Sequence, residues 1–258
     1  MLKNKIYSTS PKTIHCPQCE HNDKLLKIFM LELTRTGTQV VFPEDLGIIS
    51  WDSKGGQSIL KKSLKFLKVD ATFLGKDMIW ANNRLKINLT NDFLKTTSKK
   101  YVMGIDAYDA LLVGDPAILL EDFKQTKLKL IFNATPGCYP PVKELIEYEL
   151  KLFPNKIWQH LNAGVWIGET EYCRYFFGKL LSYYEQAMQL FLEDGKMGEQ
   201  ILVKLAFQDE FPLVSIDWKC QLFQVIRESA CYPNELKINR GIEINGVDFD
   251  EKKYVIKL

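Results

Sequence analysis

The chain has 258 residues, and its 34 lysines and arginines face 32 aspartates and glutamates, for a formal charge of +2. So even a balance excludes recognition of nucleic acid or a membrane surface by bulk electrostatics. A composition that is 46% hydrophobic and 26% charged excludes global disorder and predicts a full core. The length suits one large domain, or one domain with an extension.

Residues 1–45 read as an N-terminal extension, and residues 46–258 as the main domain. Met1 to Ser10 is polar and lacks the apolar stretch of a secretory leader. Leu25 to Leu33 is short and interrupted by Lys27 and Glu32, so no membrane span is expected there. The six cysteines are accordingly expected to be reduced thiols in a cytoplasmic protein. Cys16-Pro17-Gln18-Cys19, flanked by His15 and His21, has the spacing of half a zinc site. Zn²⁺ at Cys16 and Cys19 is one reading of it, and a pair of packing thiols is the other.

Gly47 to Trp51 reads as a strand, closed by the turn-forming Asp52-Ser53-Lys54-Gly55-Gly56. Gln57 to Lys68 places Ile59, Leu60, Leu64 and Leu67 on one helical face, and Val69 to Leu74 returns to a strand pattern. Arg84 to Lys95 predicts a second helix with Leu85, Ile87, Leu89 and Phe93 inward. A strand over Tyr101–Asp109 follows, continued by Ala110 to Val113. Asp115 before Pro116 is an N-cap signature for a helix to about Phe123. Leu128 to Asn133 is a further strand, ended by Pro136-Gly137-Cys138-Tyr139-Pro140-Pro141.

The second half is less regular. His160 to Gly168 is apolar and punctuated by glycine, a long helix is expected from about Glu171 to Leu192, and Glu199 to Phe207 is a shorter one. Leu213 to Ile216 forms a strand, and the last thirty residues suggest short antiparallel strands. Strands alternating with helices predict an α/β fold with a mixed, mainly parallel sheet.

Asp106-Ala107-Tyr108-Asp109 ends an apolar strand with two carboxylates, and in open α/β folds the strand ends form the ligand-binding rim. Two acids there suit Mn²⁺ or Mg²⁺ bridging phosphates, or else form a turn with solvated acids. Tyr108 offers a ring for stacking on a base. Lys86 can reach a phosphate or serve as a solvated helix lysine. In Leu161-Asn162-Ala163-Gly164-Val165-Trp166-Ile167-Gly168, the glycines permit close approach of a ligand to backbone, and Asn162 both donates and accepts. A core strand containing glycine is the plain alternative. Glu199 and Asp217 are candidate bases, although an acid at a helix start also complements the helix dipole. No nucleophile elbow, Walker loop or dinucleotide fingerprint occurs.

Taken in order, these segments resemble the glycosyltransferase domain of the procollagen lysyl hydroxylase family and related bacterial and viral glycosyltransferases, over about Leu46 to Phe223. Gly104-Ile105-Asp106-Ala107-Tyr108-Asp109-Ala110 is similar to the family's strand ending in Asp-x-Tyr-Asp. Leu161 to Gly168 is similar to its Leu-Asn-Ser-Gly-Gly-Phe-Ile-Gly segment. Ile216-Asp217-Trp218-Lys219-Cys220-Gln221-Leu222-Phe223-Gln224 is similar to Leu-Asp-His-x-Cys-x-Ile-Phe-Gln, and Glu199-Gln200 stands where the family has Asp-Gln.

The resemblance implies a GT-A type, Rossmann-like nucleotide-sugar-binding fold. It also implies a metal-dependent transfer of a hexose from a UDP-sugar to a hydroxyl acceptor on a glycan or protein. Asp106 and Asp109 would hold Mn²⁺ or Mg²⁺, with Tyr108 stacking on uracil and Lys86 and Trp80 beside the donor. Asn162 and Gly164 would line the sugar pocket, with Glu199 near the acceptor. The family's third metal ligand is a histidine in a His-Gly-Asn-Gly stretch after the final strand, and no such stretch precedes Leu258. Hence the alternative expectation is a catalytically inactive GT-A-fold binding or scaffold domain lacking that ligand.

Overall fold

The structure, a computed structural model, describes residues 2–4, 6–17, 22–37, 39–190, 198–226, 242–244 and 247–248. In chain order the elements are β1 (Leu2–Asn4), β2 (Thr13–His15), α1 (Asn22–Thr36), β3 (Leu46–Trp51), α2 (Ile59–Leu67), β4 (Thr72–Leu74) and α3 (Leu85–Thr96). There follow β5 (Tyr101–Asp106), β6 (Ala110–Leu112), α4 (Pro116–Thr126), β7 (Leu130–Thr135), α5 (Lys143–Leu152), β8 (His160–Glu169) and α6 (Thr170–Lys179). A 3₁₀ turn at Leu180–Tyr183 leads to α7 (Tyr184–Leu190), α8 (Glu199–Glu210), β9 (Val214–Ile216), β10 (Phe223–Val225), β11 (Ile242–Ile244) and β12 (Val247–Asp248).

The main sheet has the order β4-β3-β5-β8-β7-β9. β4, β3 and β5 are parallel neighbours, as are β7 and β9, and only β8 runs against its partners. This is the mixed, mainly parallel sheet expected of a Rossmann-like GT-A fold. Alternation along the strands feeds two cores. Ile49, Trp51, Val102, Phe132 and Trp166 pack beneath α3, α5, α6 and α8. Leu46, Ile48, Met103, Ile105, Val165 and Ile167 pack beneath α2 and α4 on the other face.

Local signals explain where elements begin. The Ser58 side chain accepts from Lys61 N at the start of α2, and Asp115 accepts from Ala117 N just before Pro116 opens α4. Three expectations need correction. The strand predicted through Asp109 ends at Asp106; a turn intervenes, and β6 belongs to a separate sheet ordered β10-β2-β6. The single helix predicted from Glu171 is α6, a 3₁₀ turn and α7. The tightening follows Gly178, a weak helix former, and turns Leu180 fully into the core. Helix α3 fully buries Ile87, Thr90 and Leu94, with Thr90 accepting from Trp51 Nε1 (3.2 Å), while Leu89 and Phe93 pack partly buried against the same core and Leu85 is half-buried. Helix α5 and strands β2 and β10 had no counterpart in the sequence reading.

Gly104 lies opposite Trp166 in the β5–β8 register, and a Cβ there would stand 2.5 Å from the indole Cε2 and Nε1. Trp166 is itself held against Phe177, with ring centroids 4.6 Å apart. Gly104→Ala should therefore cost about 1–3 kcal/mol, the price of overpacking. Chemical denaturation checks this, and partial recovery in Gly104→Ala/Trp166→Phe identifies the indole as the obstacle. A neutral single substitution would contradict it.

Candidate active site

The parallel strand β5 delivers Asp106 to the rim of the sheet, and the turn after it delivers Asp109. The segment ahead of the main sheet contributes a third group. β2 lies between β10, to which it is parallel, and β6, to which it is antiparallel. That register sets His15 opposite Ala110, one residue beyond Asp109, and Cys16 N donates to Asp109 O at 2.8 Å. His15 Nε2 consequently stands 3.7 Å from Asp106 Oδ2 and 3.5 Å from Asp109 Oδ1. The ring is buried, and among the described residues Nε2 has no hydrogen-bond partner.

Gly164 makes this convergence possible. A Cβ on it would lie 2.3 Å from His15 Cε1, 2.6 Å from Asp106 Oδ2 and 2.8 Å from His15 Nε2. It sits in the stretch of β8 that bulges where the β7 register jumps from Phe132–Trp166 to Asn133–Asn162. The Asn162 side chain closes this bulge by accepting from Gly164 N (2.9 Å).

Lys86, on α3, lies across the cleft with Nζ 2.6 Å from Asp106 Oδ1 and 3.1 Å from Glu199 Oε1. Burial alone would favour its neutral amine, but the charges of Asp106 and Glu199 outweigh it and raise the Lys86 pKa. Glu199, at the start of α8, is pushed above the usual carboxylate range by burial and by Asp106, against the pull of Lys86. Burial also opposes ionisation of Asp109, yet His15 and Lys86 outweigh it and hold that carboxyl below its ordinary value. Asp106 thus divides its oxygens, Oδ1 to Lys86 and Oδ2 toward His15 and Asp109.

His15, Lys86, Asp106, Asp109, Asn162, Gly164 and Glu199 all line one cleft, so most of the residues singled out from the sequence converge. Next to Glu199, Gln200 bridges the walls. It accepts from Ala163 N (3.1 Å) and donates to Tyr139 O (2.7 Å). Tyr108 and Trp80 stand outside this cleft. The half-exposed Tyr108 donates its hydroxyl to the buried Asp52, which Lys61 also holds (2.5 Å). Burial and that hydrogen bond push the Tyr108 phenol up to about 12. Trp80 donates to Asn83, a cleft residue (3.0 Å).

Asp217 is not in the cleft. Its carboxylate accepts from the backbone of Gln221, Leu222 and Phe223, which makes it a turn-forming group rather than a base, with a pKa raised by burial to about 6. Cys19 and His21 lie outside the described residues, so the zinc reading is represented only by Cys16, buried beside the turn.

A second donor cluster, Cys138, Glu149 and His160, is wholly buried. Its cation is already built in. Lys204 Nζ stands 2.5 Å from Glu149 Oε1 and 3.3 Å from Cys138 Sγ, while His160 Nδ1 meets Glu149 Oε2 at 2.7 Å.

The mixed, mainly parallel sheet with a cleft at its rim is a Rossmann-like fold of the GT-A type. The chain belongs to the family described as the PLOD GT domain, whose profile matches residues 47–257. It is 26% identical over 133 residues to the multifunctional procollagen lysine hydroxylase and glycosyltransferase of Caenorhabditis elegans. It is 30% identical over 99 residues to procollagen-lysine,2-oxoglutarate 5-dioxygenase 1 of Gallus gallus. These segments are 46% and 34% of this chain but 18% and 14% of those proteins, so the chain spans less than a fifth of their length. The matched region begins after His15, which is why comparison by sequence order does not reach that residue.

Burial raises the Glu149 carboxyl, but Lys204 and His160 outweigh it and hold its pKa below the ordinary 4.5. A depressed folded-state pKa contributes stability that is complete above about pH 4.5 and lost as pH falls through the folded value. Glu149→Gln leaves Lys204 as an unpaired buried charge and should cost about 3–5 kcal/mol near pH 7. The deficit should shrink on acidification, because the wild-type protein then loses the same interaction. Urea unfolding across pH tests this, and a deficit independent of pH would contradict it.

Proposed function

We propose that the chain transfers a hexose from a UDP-sugar to a hydroxyl acceptor, with a divalent cation, Mn²⁺ or Mg²⁺, held by Asp106, Asp109 and His15. The observation that carries this reading is the buried His15 Nε2, without a hydrogen-bond partner among the described residues, facing two carboxylate oxygens at 3.5 and 3.7 Å, longer than ordinary hydrogen bonds. One nitrogen and two oxygen donors, all within 4.8 Å of one another, suit Mn²⁺ or Mg²⁺ better than a soft metal. When bound, such an ion supplies Lewis-acid stabilisation of the leaving diphosphate.

The chain's own groups support the remaining tasks. The Lys86 ammonium, kept charged by two carboxylates, faces the phosphates and adds positive charge where the leaving group develops its negative charge. Asn162 and Gly164 border the sugar, Asn162 through its amide and Gly164 by lacking a Cβ, which lets His15 and Asp106 close up beside it. Glu199 has a raised pKa, so its carboxylate is a better proton acceptor for an incoming hydroxyl than an ordinary glutamate. The cleft, about 260 Å³, is smaller than a typical ligand pocket of ~300–1,000 Å³. It fits the sugar–diphosphate end and leaves the base outside, on the side of Tyr108 and its Asp52 anchor. Trp80, through Asn83, borders the donor on the α3 side. The alternative, a catalytically inactive GT-A-fold binding or scaffold domain, was argued from a missing third ligand, and His15 is the residue we propose in that role.

Mn²⁺ should stimulate turnover of a UDP-sugar, and Asp109→Ala or His15→Ala should each lower it by about 100-fold or more. Turnover that ignores Mn²⁺, or full activity in Asp109→Ala, would overturn the assignment. Gly164→Ala should abolish Mn²⁺ binding measured by calorimetry, since its methyl group would occupy the space of His15 and Asp106.

A further inference from the structure

The turn that carries both cleft aspartates is tied down at each of its last three residues. Leu60 N, at the start of α2, donates to Ala107 O (3.3 Å), and Cys16 N donates to Asp109 O (2.8 Å). Tyr108, between them, is tied by its side chain. Its hydroxyl donates to Asp52 Oδ1, in the turn that follows β3.

Asp52 is built as an anchor. It is fully buried, and Oδ1 also accepts from Lys54 N (3.1 Å) and Gly55 N (3.0 Å), so the turn closes around it. Oδ2 meets Lys61 Nζ (2.5 Å), which donates to Gly56 O (2.9 Å) and lies over the Phe73 ring (4.6 Å). Burial opposes ionisation of Asp52, but Lys61 and the Tyr108 hydroxyl outweigh it and hold the carboxyl below its ordinary range. The Tyr108 ring, by contrast, faces outward. The residue is 44% exposed, and Lys54 Nζ stands over the ring, 5.3 Å from its centroid.

We infer that Asp52 is a positioning residue for the nucleotide: it takes up the one hydroxyl proton of Tyr108 and so fixes the ring as a stacking surface. The inference rests on the proposed UDP-sugar reading. A phenol has a single proton to donate, and here it points into the protein. The base is therefore held through its face, by stacking, and the Tyr108 hydroxyl donates nothing to its edge. Ordering the side chain before the nucleotide arrives also spares that cost on binding.

Calorimetry on the full chain, with UDP in the presence of Mn²⁺ and with Mn²⁺ alone, separates a ring tether from general support of the turn. Tyr108→Phe keeps the ring and the Asp52 turn but cuts the tether, and Asp52→Ala cuts it from the other end. Each should weaken UDP binding about 3–10-fold and leave Mn²⁺ affinity within about twofold of wild type. The double variant should be no more than about twofold weaker than either single one, because all three lack the same interaction. Asp52→Asn keeps an oxygen for the hydroxyl proton and should bind UDP within about twofold of wild type. Unchanged UDP affinity in Tyr108→Phe, losses that add in the double variant, or equal losses for UDP and Mn²⁺ would overturn the inference. Ring ¹³C relaxation at position 108 of the nucleotide-free protein should show a rigid ring in wild type and a mobile one in Tyr108→Phe. Equal mobility in the two would count against it as well. A tethered ring in a wild-type chain that binds no UDP would uphold the role of Asp52 in holding Tyr108 and defeat the donor reading instead.

Discussion

Three carboxylates share one half-buried cleft, and their mutual repulsion is the constraint that the surrounding structure answers. Asp106, Asp109 and Glu199 come from a strand end, a turn and a helix start, and gathering carboxylates in one cleft is unfavourable unless positive charge lies near them. Lys86 answers part of it by bridging Asp106 and Glu199 from α3. Its stem lies over the Trp51 ring, with Nζ 5.2 Å from the centroid, so the ammonium is aimed by packing as well as by charge. His15 is held against Asp106 and Asp109 by a strand that is hydrogen-bonded on both edges and cannot withdraw the ring without breaking two ladders.

The two donor clusters among the described residues differ in where their positive charge lies. Around Glu149 the carboxylate, thiol and imidazole enclose the Lys204 ammonium, and their charge is settled inside the protein. Around Asp106 the lysine is drawn aside, to Oδ1 and Glu199, while Oδ2, Asp109 and His15 gather their donor atoms within 4.8 Å of one another. The Glu149 cluster also has a task. It ties α5 and β8 to α8 one helical turn below Gln200, which clamps the loop of Cys138, Tyr139 and Pro140 against the cleft. Rigidity in that wall is the usual requirement for holding reacting groups in line.

Much of this was legible along the chain because it is local. Asp106, Tyr108 and Asp109 lie within one turn, so the acids had to emerge together once Tyr101 to Ile105 formed a buried strand. Lys86, Asn162, Gly164 and Glu199 belong to motifs whose order is retained, and the sheet then brings them to one rim. The reading missed what depends on long-range pairing. His15 looked like part of a zinc motif with Cys16 and Cys19, because sequence distance separates it from Asp109 by the whole of β3 to β5. Its one useful signal was the β-branched pair Thr13-Ile14 just before it, too short to be told from a loop.

The sequence by itself determined the α/β alternation, the family and the identity of two acids, because periodicity, turn chemistry and motif order are properties of neighbouring residues. Only the tertiary structure decided that the cleft has a histidine, that Asp217 is a turn-former and that Lys204 occupies the second cluster. Each of these follows from strand register and burial, which place residues side by side regardless of their separation along the chain.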